Sequence, residues 1–159
     1  MADVTWLTPD QQADWVRLAA VLELLPAALD AQLNRDAELT HFEYFVLAML
    51  SEAPDRTLRQ TALASRTNAT LARLSRVVSR LETAGFVERR PCPADRRATN
   101  AVLTDAGWAK VVATAPGHVG TVRHYVVDAL SAQDLAQLGA ICGRLLGRLD
   151  PDGRMFVSG

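Results

Sequence analysis

Arginine side chains are concentrated in one part of this sequence. Residues 66–97 contain eight arginines against three acidic residues, a formal charge of about +5. The complete chain of 159 residues has a formal net charge of −1, so the remainder is acidic. A guanidinium group binds phosphate oxygens and bonds the edge of a guanine through two hydrogen bonds. This concentration predicts a surface for a polyanion; the alternative is a solvated basic face on a small α+β domain.

The elements that must position these arginines follow from hydrophobic spacing. Between residues 70 and 85, apolar side chains recur at three- and four-residue steps and predict a helix with one buried face. The buried positions are Leu74, Val77, Val78 and Leu81. Gly85 is predicted to end this helix in a left-handed conformation. A short helix precedes it, and two strands of five or six residues, joined by a turn with two prolines, follow it.

A helix with exposed arginines, followed by a hairpin with arginines at its tip, has the layout of a winged helix-turn-helix. Such a helix enters the major groove of DNA, so we predict that Arg73, Ser75 and Arg76 contact bases or phosphates there. Thr70 is predicted to cap the helix; either its backbone amide also meets a phosphate, or the cap is its whole role. Arg80 is predicted either to contact a phosphate or to remain solvated.

Five segments of the sequence form a pattern in a fixed order. They are residues 39–47, 63–64, 70–87, 95–97 and 102–107. Together they resemble the MarR family of transcriptional regulators, over residues 35–110. Two departures stand out. Ala72 and Ser75 take positions where the family often has Ser and Thr, and Leu71 is an apolar residue near the exposed start of the helix.

The hairpin tip reads Asp95-Arg96-Arg97, and the resemblance assigns it to the wing. We predict that both arginines contact DNA, and the resemblance places Arg97 in the minor groove, whose negative potential attracts arginine. The alternative is an exposed turn whose charges have no partner in DNA. A carboxylate that faces DNA alone is unfavourable. Asp95 is therefore predicted to support the wing by orienting an arginine through a charge-assisted hydrogen bond.

The resemblance implies a mainly α (α+β) fold with a small β-hairpin wing, in a single MarR-like domain over residues 1–159. Residues 37–104 form the winged helix-turn-helix module, and helices in residues 1–36 and 105–150 form a homodimer. The residues themselves also predict a dimer. The chain is too small to cover the apolar stripes of its terminal helices, and a second copy would bury them. Two recognition helices about one DNA turn apart then match a palindromic operator.

Local signals set the expected helix boundaries. Four residues are predicted N-caps: Thr8, Thr40, Thr104 and Ser131. Pro26 is expected to kink or interrupt the first helix, and Pro116 with Gly117 to bend or break the fifth.

The resemblance also places small aromatic effectors in the cleft between the dimer helices and the basic module. Trp15, His41, Tyr44 and Phe45 are predicted to line that cleft, because an apolar wall with a few polar groups suits such a ligand. The alternative for Trp15 and Phe45 is ordinary core packing.

Other classes of function lack support in the sequence. The motifs of nucleophilic enzymes, zinc peptidases and phosphate-binding loops are missing, so no enzyme is expected. His41, His118 and His124 lack metal-ligand spacing, so no metal and no cofactor are expected. No apolar run approaches the roughly 18 residues of a membrane span. The N-terminus has no signal-peptide pattern, so we expect a cytoplasmic protein.

The two cysteines are too few for a disulfide framework. Cys142 lies on an apolar stripe and is predicted to be core. Cys92 lies between two prolines in the hairpin, where nearby arginines would lower the pKa of its thiol.

We therefore predict a sequence-specific regulator that binds double-stranded DNA as a homodimer, typically a repressor that a small, aromatic or phenolic ligand releases. Two alternatives remain open. The first is a winged-helix scaffold that binds protein, and the second is a cysteine-based redox-sensing regulator that uses Cys92.

Overall fold

The computed structural model describes residues 4–155, apart from the side chain of Arg96. Within them, six α-helices and three strands follow the order α1 Pro9–Ala37, α2 His41–Ser51, β1 Thr57–Arg59, α3 Gln60–Arg66, α4 Leu71–Thr83, β2 Val87–Cys92, β3 Asp95–Leu103, α5 Asp105–Val122 and α6 Ala132–Leu149. A π-helical turn, Arg123–Val127, continues α5. None of these helices combines the length and the apolarity that crossing a membrane requires.

The predicted helix starts are confirmed. Thr8 and Thr40 form capping boxes at the starts of α1 and α2. Thr70, Thr104 and Ser131 each accept a hydrogen bond from the backbone amide three residues later. These contacts satisfy amides that have no partner within the helix, which is why they can be predicted from local sequence.

The interruptions that were expected as one outcome at Pro26 and Pro116 do not occur, and the alternative outcome, a kink or bend, stays a prediction. α1 passes through Pro26 without interruption, and α5 passes through Pro116 as far as Val122. The irregular turn comes later, at Arg123–Val127. A proline removes one hydrogen bond from a helix, and packing along the flanking turns offsets that loss. In α1 the flanking packing comes from Leu29 and Leu33, which are buried.

The wing belongs to a three-stranded antiparallel sheet with the strand order β1-β3-β2. β1 was not predicted: it pairs Thr57 with Val102 and Arg59 with Asn100. A strand of three residues is too short to show an alternating pattern, and its partner lies about 40 residues away in the chain. β2 and β3 form the predicted hairpin, with an irregularity between Pro91 and Cys92.

The core lies in the winged helix-turn-helix module. The predicted buried face of α4 is confirmed, and it packs with apolar residues of α2, α3 and the sheet. The largest fully buried side chains of this core include Leu47, Leu50, Leu63, Leu74 and Leu81. Burial of each such side chain stabilises the fold by about 1.5–3 kcal/mol relative to exposure.

The start of α5 is fixed to the end of α4. Gly85 has the predicted positive φ, 77°, and its carbonyl oxygen accepts a hydrogen bond of 2.7 Å from Thr104 Oγ1. At Gly107 a Cβ atom would lie 2.1 Å from the carbonyl oxygen of Phe86, so only glycine permits this approach. Arg56 adds an ion pair of 3.1 Å to Asp105. The recognition module and α5 are therefore joined closely.

The two ends of the chain leave apolar surface uncovered. α6 contains no buried residue, and its exposed large side chains include Leu138, Ile141 and Leu145. The N-terminal half of α1 is exposed as well. Cys142 was predicted to be core, which is wrong for a single chain: it is exposed, because no residue of α6 is buried against the rest of the chain. An exposed apolar stripe of this length indicates a surface that another molecule covers.

Candidate nucleic-acid interface

The exposed side of α4 has one outward face and two flanks. Ala72 and Arg76 are exposed and lie one helical turn apart, on the side opposite the buried residues. Arg73 and Arg80 occupy the flank toward α2, and Ser75 and Ser79 carry the contacts of the flank toward the wing. Each group of predicted DNA-binding residues therefore has a different environment.

The flank toward α2 is held by two contacts. The Arg73 guanidinium lies 4.1 Å from the centre of the Phe42 ring, a cation–π arrangement. Arg80 Nη2 lies 2.8 Å from Glu43 Oε1. Glu43 also accepts two hydrogen bonds of 2.8 Å from the backbone amide and hydroxyl of Thr40. Arg80, predicted as a phosphate contact or a solvated residue, joins α4 to the capping box of α2 while its side chain stays 62% exposed, so that prediction remains open.

The flank toward the wing is held by Arg89 of β2. Its guanidinium donates to the carbonyl oxygen of Ser75 at 2.8 Å and to Ser79 Oγ at 2.9 Å. It also pairs with Glu82 Oε2 at 2.5 Å, while its backbone amide donates to Glu82 Oε1 at 3.0 Å. Ser75 Oγ lies 3.4 Å from the same guanidinium, so this predicted DNA contact already has a partner.

Arg89 was not identified from the sequence. Its partners, Glu82, Ser79 and Ser75, lie 7, 10 and 14 residues earlier in the chain. These separations do not follow the period of a helix or of a strand, so the sequence pattern does not reveal the contacts. The available signal was an acidic residue, Glu82, near the end of an arginine-rich helix that precedes a strand with arginines.

Arg76 differs from its neighbours. Within the described residues, no hydrogen bond or ion pair engages its exposed guanidinium. It projects from the outward face of a helix that is held on both flanks. A guanidinium in this position is free to form the bidentate contact that identifies guanine. Thr70 is exposed at the N-terminus of the same helix, as its predicted roles require.

The wing tip is organised by Asp95 and Arg59. Asp95 Oδ1 accepts a hydrogen bond of 3.1 Å from the backbone amide of Arg97, and Asp95 Oδ2 lies 3.7 Å from Arg59 Nη1. Asp95 therefore pairs with an arginine of β1, which sequence reasoning missed because β1 itself was missed. Arg97 is exposed, and its orientation is set through its backbone. The side chain of Arg96 lies outside the described residues.

Cys92 lies at the base of this tip and is buried. Arg59 Nη2 donates to its sulfur at 3.5 Å, and this hydrogen bond, with backbone amides of Ala94 and Asp95, lowers the pKa of the thiol. A low pKa favours the reactive thiolate, whereas burial limits access for an oxidant. The redox-sensing alternative stays a prediction.

The residues predicted to line a ligand cleft do not all meet. His41 and Tyr44 lie close to His118, with ring-centre distances of 6.1 Å and 4.7 Å to it. Burial lowers the pKa of His41 and of His118 and raises that of Tyr44. Phe45 is half-buried on α2. Trp15 is 54% exposed and does not reach this group. The His41 backbone amide donates to Asp30 of α1, and Trp15 lies 15 residues, about 22 Å, before Asp30 along that helix.

Comparison with known proteins connects this geometry to a family. The sequence model described as MarR family matches residues 39–99, which include α2, α3, α4 and most of the wing. Sco3205, a MarR family transcriptional regulator from Streptomyces coelicolor whose crystal structure is in complex with DNA, is 41% identical. The comparison covers 95% of this chain and 94% of that chain, with a TM-score of 0.90.

The chain belongs to the MarR family. AbsC, another MarR family transcriptional regulator from Streptomyces coelicolor, is 34% identical over 92% of this chain and 98% of its own, with a TM-score of 0.87. The transcriptional repressor YetL of Bacillus subtilis (strain 168) is 28% identical over 82% of this chain and 83% of its own. The winged-helix fold of the family is therefore present: α4 takes the place predicted for the recognition helix, and the β2–β3 hairpin takes that of the wing.

Replacement of Arg89 by Met is expected to lower the free energy of unfolding by about 1–3 kcal/mol, because Glu82 and the two serines lose a charged partner. Arg90→Met is the matched control. It removes the same charge from the adjacent residue, which is exposed and, among the residues that the structure describes, pairs with its neighbour Glu88 alone. Urea denaturation of both variants measures the difference. Equal effects of the two substitutions would contradict the role of Arg89 as a brace.

Proposed function

We propose that this MarR-family protein is a homodimeric repressor that binds a palindromic operator in double-stranded DNA and leaves it when a small aromatic ligand binds. The observation that carries the proposal is the arrangement of α4. Both flanks of this helix are held by other elements, and Arg76 is unengaged on its outward face within the described residues. A fixed helix with a free guanidinium can read a base edge in the major groove.

DNA contacts divide into two kinds under this proposal. Arg76 reads a base, whereas Arg97, on the exposed wing, contributes through the phosphates and the narrow minor groove. Thr70 and the first amides of α4 meet a phosphate, because a helix N-terminus favours an anion. Arg73 and Arg80 contribute charge while they remain attached to α2.

The dimer follows from the uncovered ends of the chain. The apolar stripe of α6, with Leu138, Ile141 and Leu145, and the exposed half of α1 bury their surface against a second copy. A twofold pair also presents two α4 helices, and each enters a major groove of one half-site.

An effector site is supported by a cavity of about 310 Å³ between α1, α5 and the π-helical turn. Gln32, Arg35, His124 and Tyr125 contribute to its walls. The Gln32 residue is only 4% exposed, and within the described structure its Oε1 has no hydrogen-bond partner. A buried acceptor of this kind requires a donor. A hydroxylated aromatic carboxylate supplies a hydroxyl donor for Gln32, a ring for Tyr125 and a charge that competes with Asp36 for Arg35, whose Nε lies 2.8 Å from Asp36 Oδ1.

The first prediction of this function separates base reading from phosphate contact. Arg76→Ala should lower the ratio of operator affinity to random-duplex affinity, by about 1–3 kcal/mol at one base position. Arg97→Ala should weaken binding to both duplexes together and reduce the salt slope by roughly one. Binding of each variant to operator and to scrambled duplex across a salt series measures both effects, with circular dichroism as the folding control.

The wing assignment has its own contradicting outcome. If Arg97→Ala changes neither affinity nor the salt slope, the hairpin does not contact DNA. The protein-binding scaffold would then explain the fold better.

The second prediction concerns assembly. Light scattering of the wild-type protein should give about twice the chain mass of 17.3 kDa at micromolar concentration. Leu138→Lys places a charge on the apolar stripe of α6 and should shift the protein toward the monomer and abolish operator binding. Ala136→Lys is the matched control: Ala136 is exposed on the opposite face of the same helix, so this substitution should leave both properties unchanged. A wild-type monomer that binds a palindrome tightly would remove the dimer from the proposal.

The third prediction tests the effector. Hydroxybenzoates should release the operator complex, because a ligand with different affinities for the free and DNA-bound conformations shifts their equilibrium. The matching hydroxybenzamides, which lack the charge, should be weak. Gln32→Leu should bind operator normally and lose the response. Failure of the whole hydroxybenzoate panel to change operator affinity would rule out this class of ligand.

A further inference from the structure

The first turn of the recognition helix carries an unexplained apolar side chain. Leu71 is the first residue of α4 and is 49% exposed, and Ala72 beside it is exposed as well. Leu71 lies one turn before Ser75, and Ala72 lies one turn before Arg76. Ala72 therefore continues the outward face of α4 toward its N-terminus, and Leu71 continues the flank toward the wing. Leucine at a solvent-exposed first turn neither caps the helix nor strengthens its interaction with phosphate.

The chemistry of the major groove offers a partner for this side chain. Thymine is the only base that presents a methyl group there, at C5, and apolar side chains contact it. In helix-turn-helix proteins the N-terminal residues of the recognition helix contact base edges. The surrounding arginines bring the helix to the phosphates, so the occupant of this surface is the DNA that α4 already faces.

We propose that Leu71 contacts the C5-methyl group of a thymine in each operator half-site and that Ala72 provides room for this approach. The proposal rests on the function proposed above and adds one requirement of the operator. Leu71 and Arg76 are five residues apart, about 7.5 Å along the helix axis. The two side chains are also about 140° apart around that axis, because the helix has 3.6 residues per turn. The thymine is therefore expected at a different base pair from the one that Arg76 reads.

The experiment uses the full-length protein and an operator selected from a random duplex pool. Each thymine is replaced in turn by deoxyuridine, which pairs identically and lacks only the methyl group. For the wild-type protein, one position in each half-site should show a loss of affinity of about fourfold, the change that corresponds to one buried carbon group. Leu71→Ala should bind more weakly and should show no uracil effect at that position.

Leu71→Met provides the matched control, since it keeps an apolar side chain of similar length and should keep the uracil effect. Circular dichroism verifies folding, and alanine favours the helix. Equal uracil effects in the wild type and in Leu71→Ala would overturn the proposal, as would the lack of any uracil effect. Failure to select any sequence is a different result, since it would overturn the proposed DNA-binding specificity and the role of Leu71 with it.

Discussion

The position of the recognition helix depends on a carboxylate that is almost removed from water. The side chain of Glu43 is 11% exposed, and a buried charge costs several kcal/mol unless it is paired and hydrogen-bonded. Its oxygens accept from the amide and the hydroxyl of Thr40 and pair with Arg80. Removal of any of these partners leaves the charge less compensated. The first turn of α2 and the last turns of α4 are therefore held in one mutual arrangement.

The same principle separates arginines that look alike in the sequence. Arg80 and Arg89 neutralise acids at the two flanks of α4, and Arg73 stacks on an aromatic ring. Arg76 and Arg97 project from the outward face and the wing. An arginine that is paired within the chain still contributes to the positive potential. Its guanidinium is held in one orientation, however, and that restricts which bases it can identify. Under the proposed function, base discrimination would depend on fewer side chains than the local charge suggests.

Features that depend on local spacing were predictable. The N-caps, the buried face of α4 and the left-handed Gly85 each involve residues within one or two helical turns, so the sequence pattern contains them. Features that depend on distant pairing were not. β1 pairs with a strand about 40 residues later, and the contacts of Arg89 and Arg59 follow from that sheet. Cys142 was misjudged because an apolar stripe does not indicate whether its cover comes from the same chain.

The close junction at Thr104, Gly85 and Gly107 couples the orientation of α5 to that of α4. The helix has 18 residues and spans about 27 Å, so a tilt of about 10° at the junction moves its far end by about 5 Å. That displacement exceeds the rise of one base pair, roughly 3.4 Å. In a twofold assembly, a small rotation of each α5 would change the separation of the two α4 helices, so that it no longer matches one turn of the duplex. A shift of a few ångströms between the subunits would then be enough to prevent both α4 helices from entering their half-sites together.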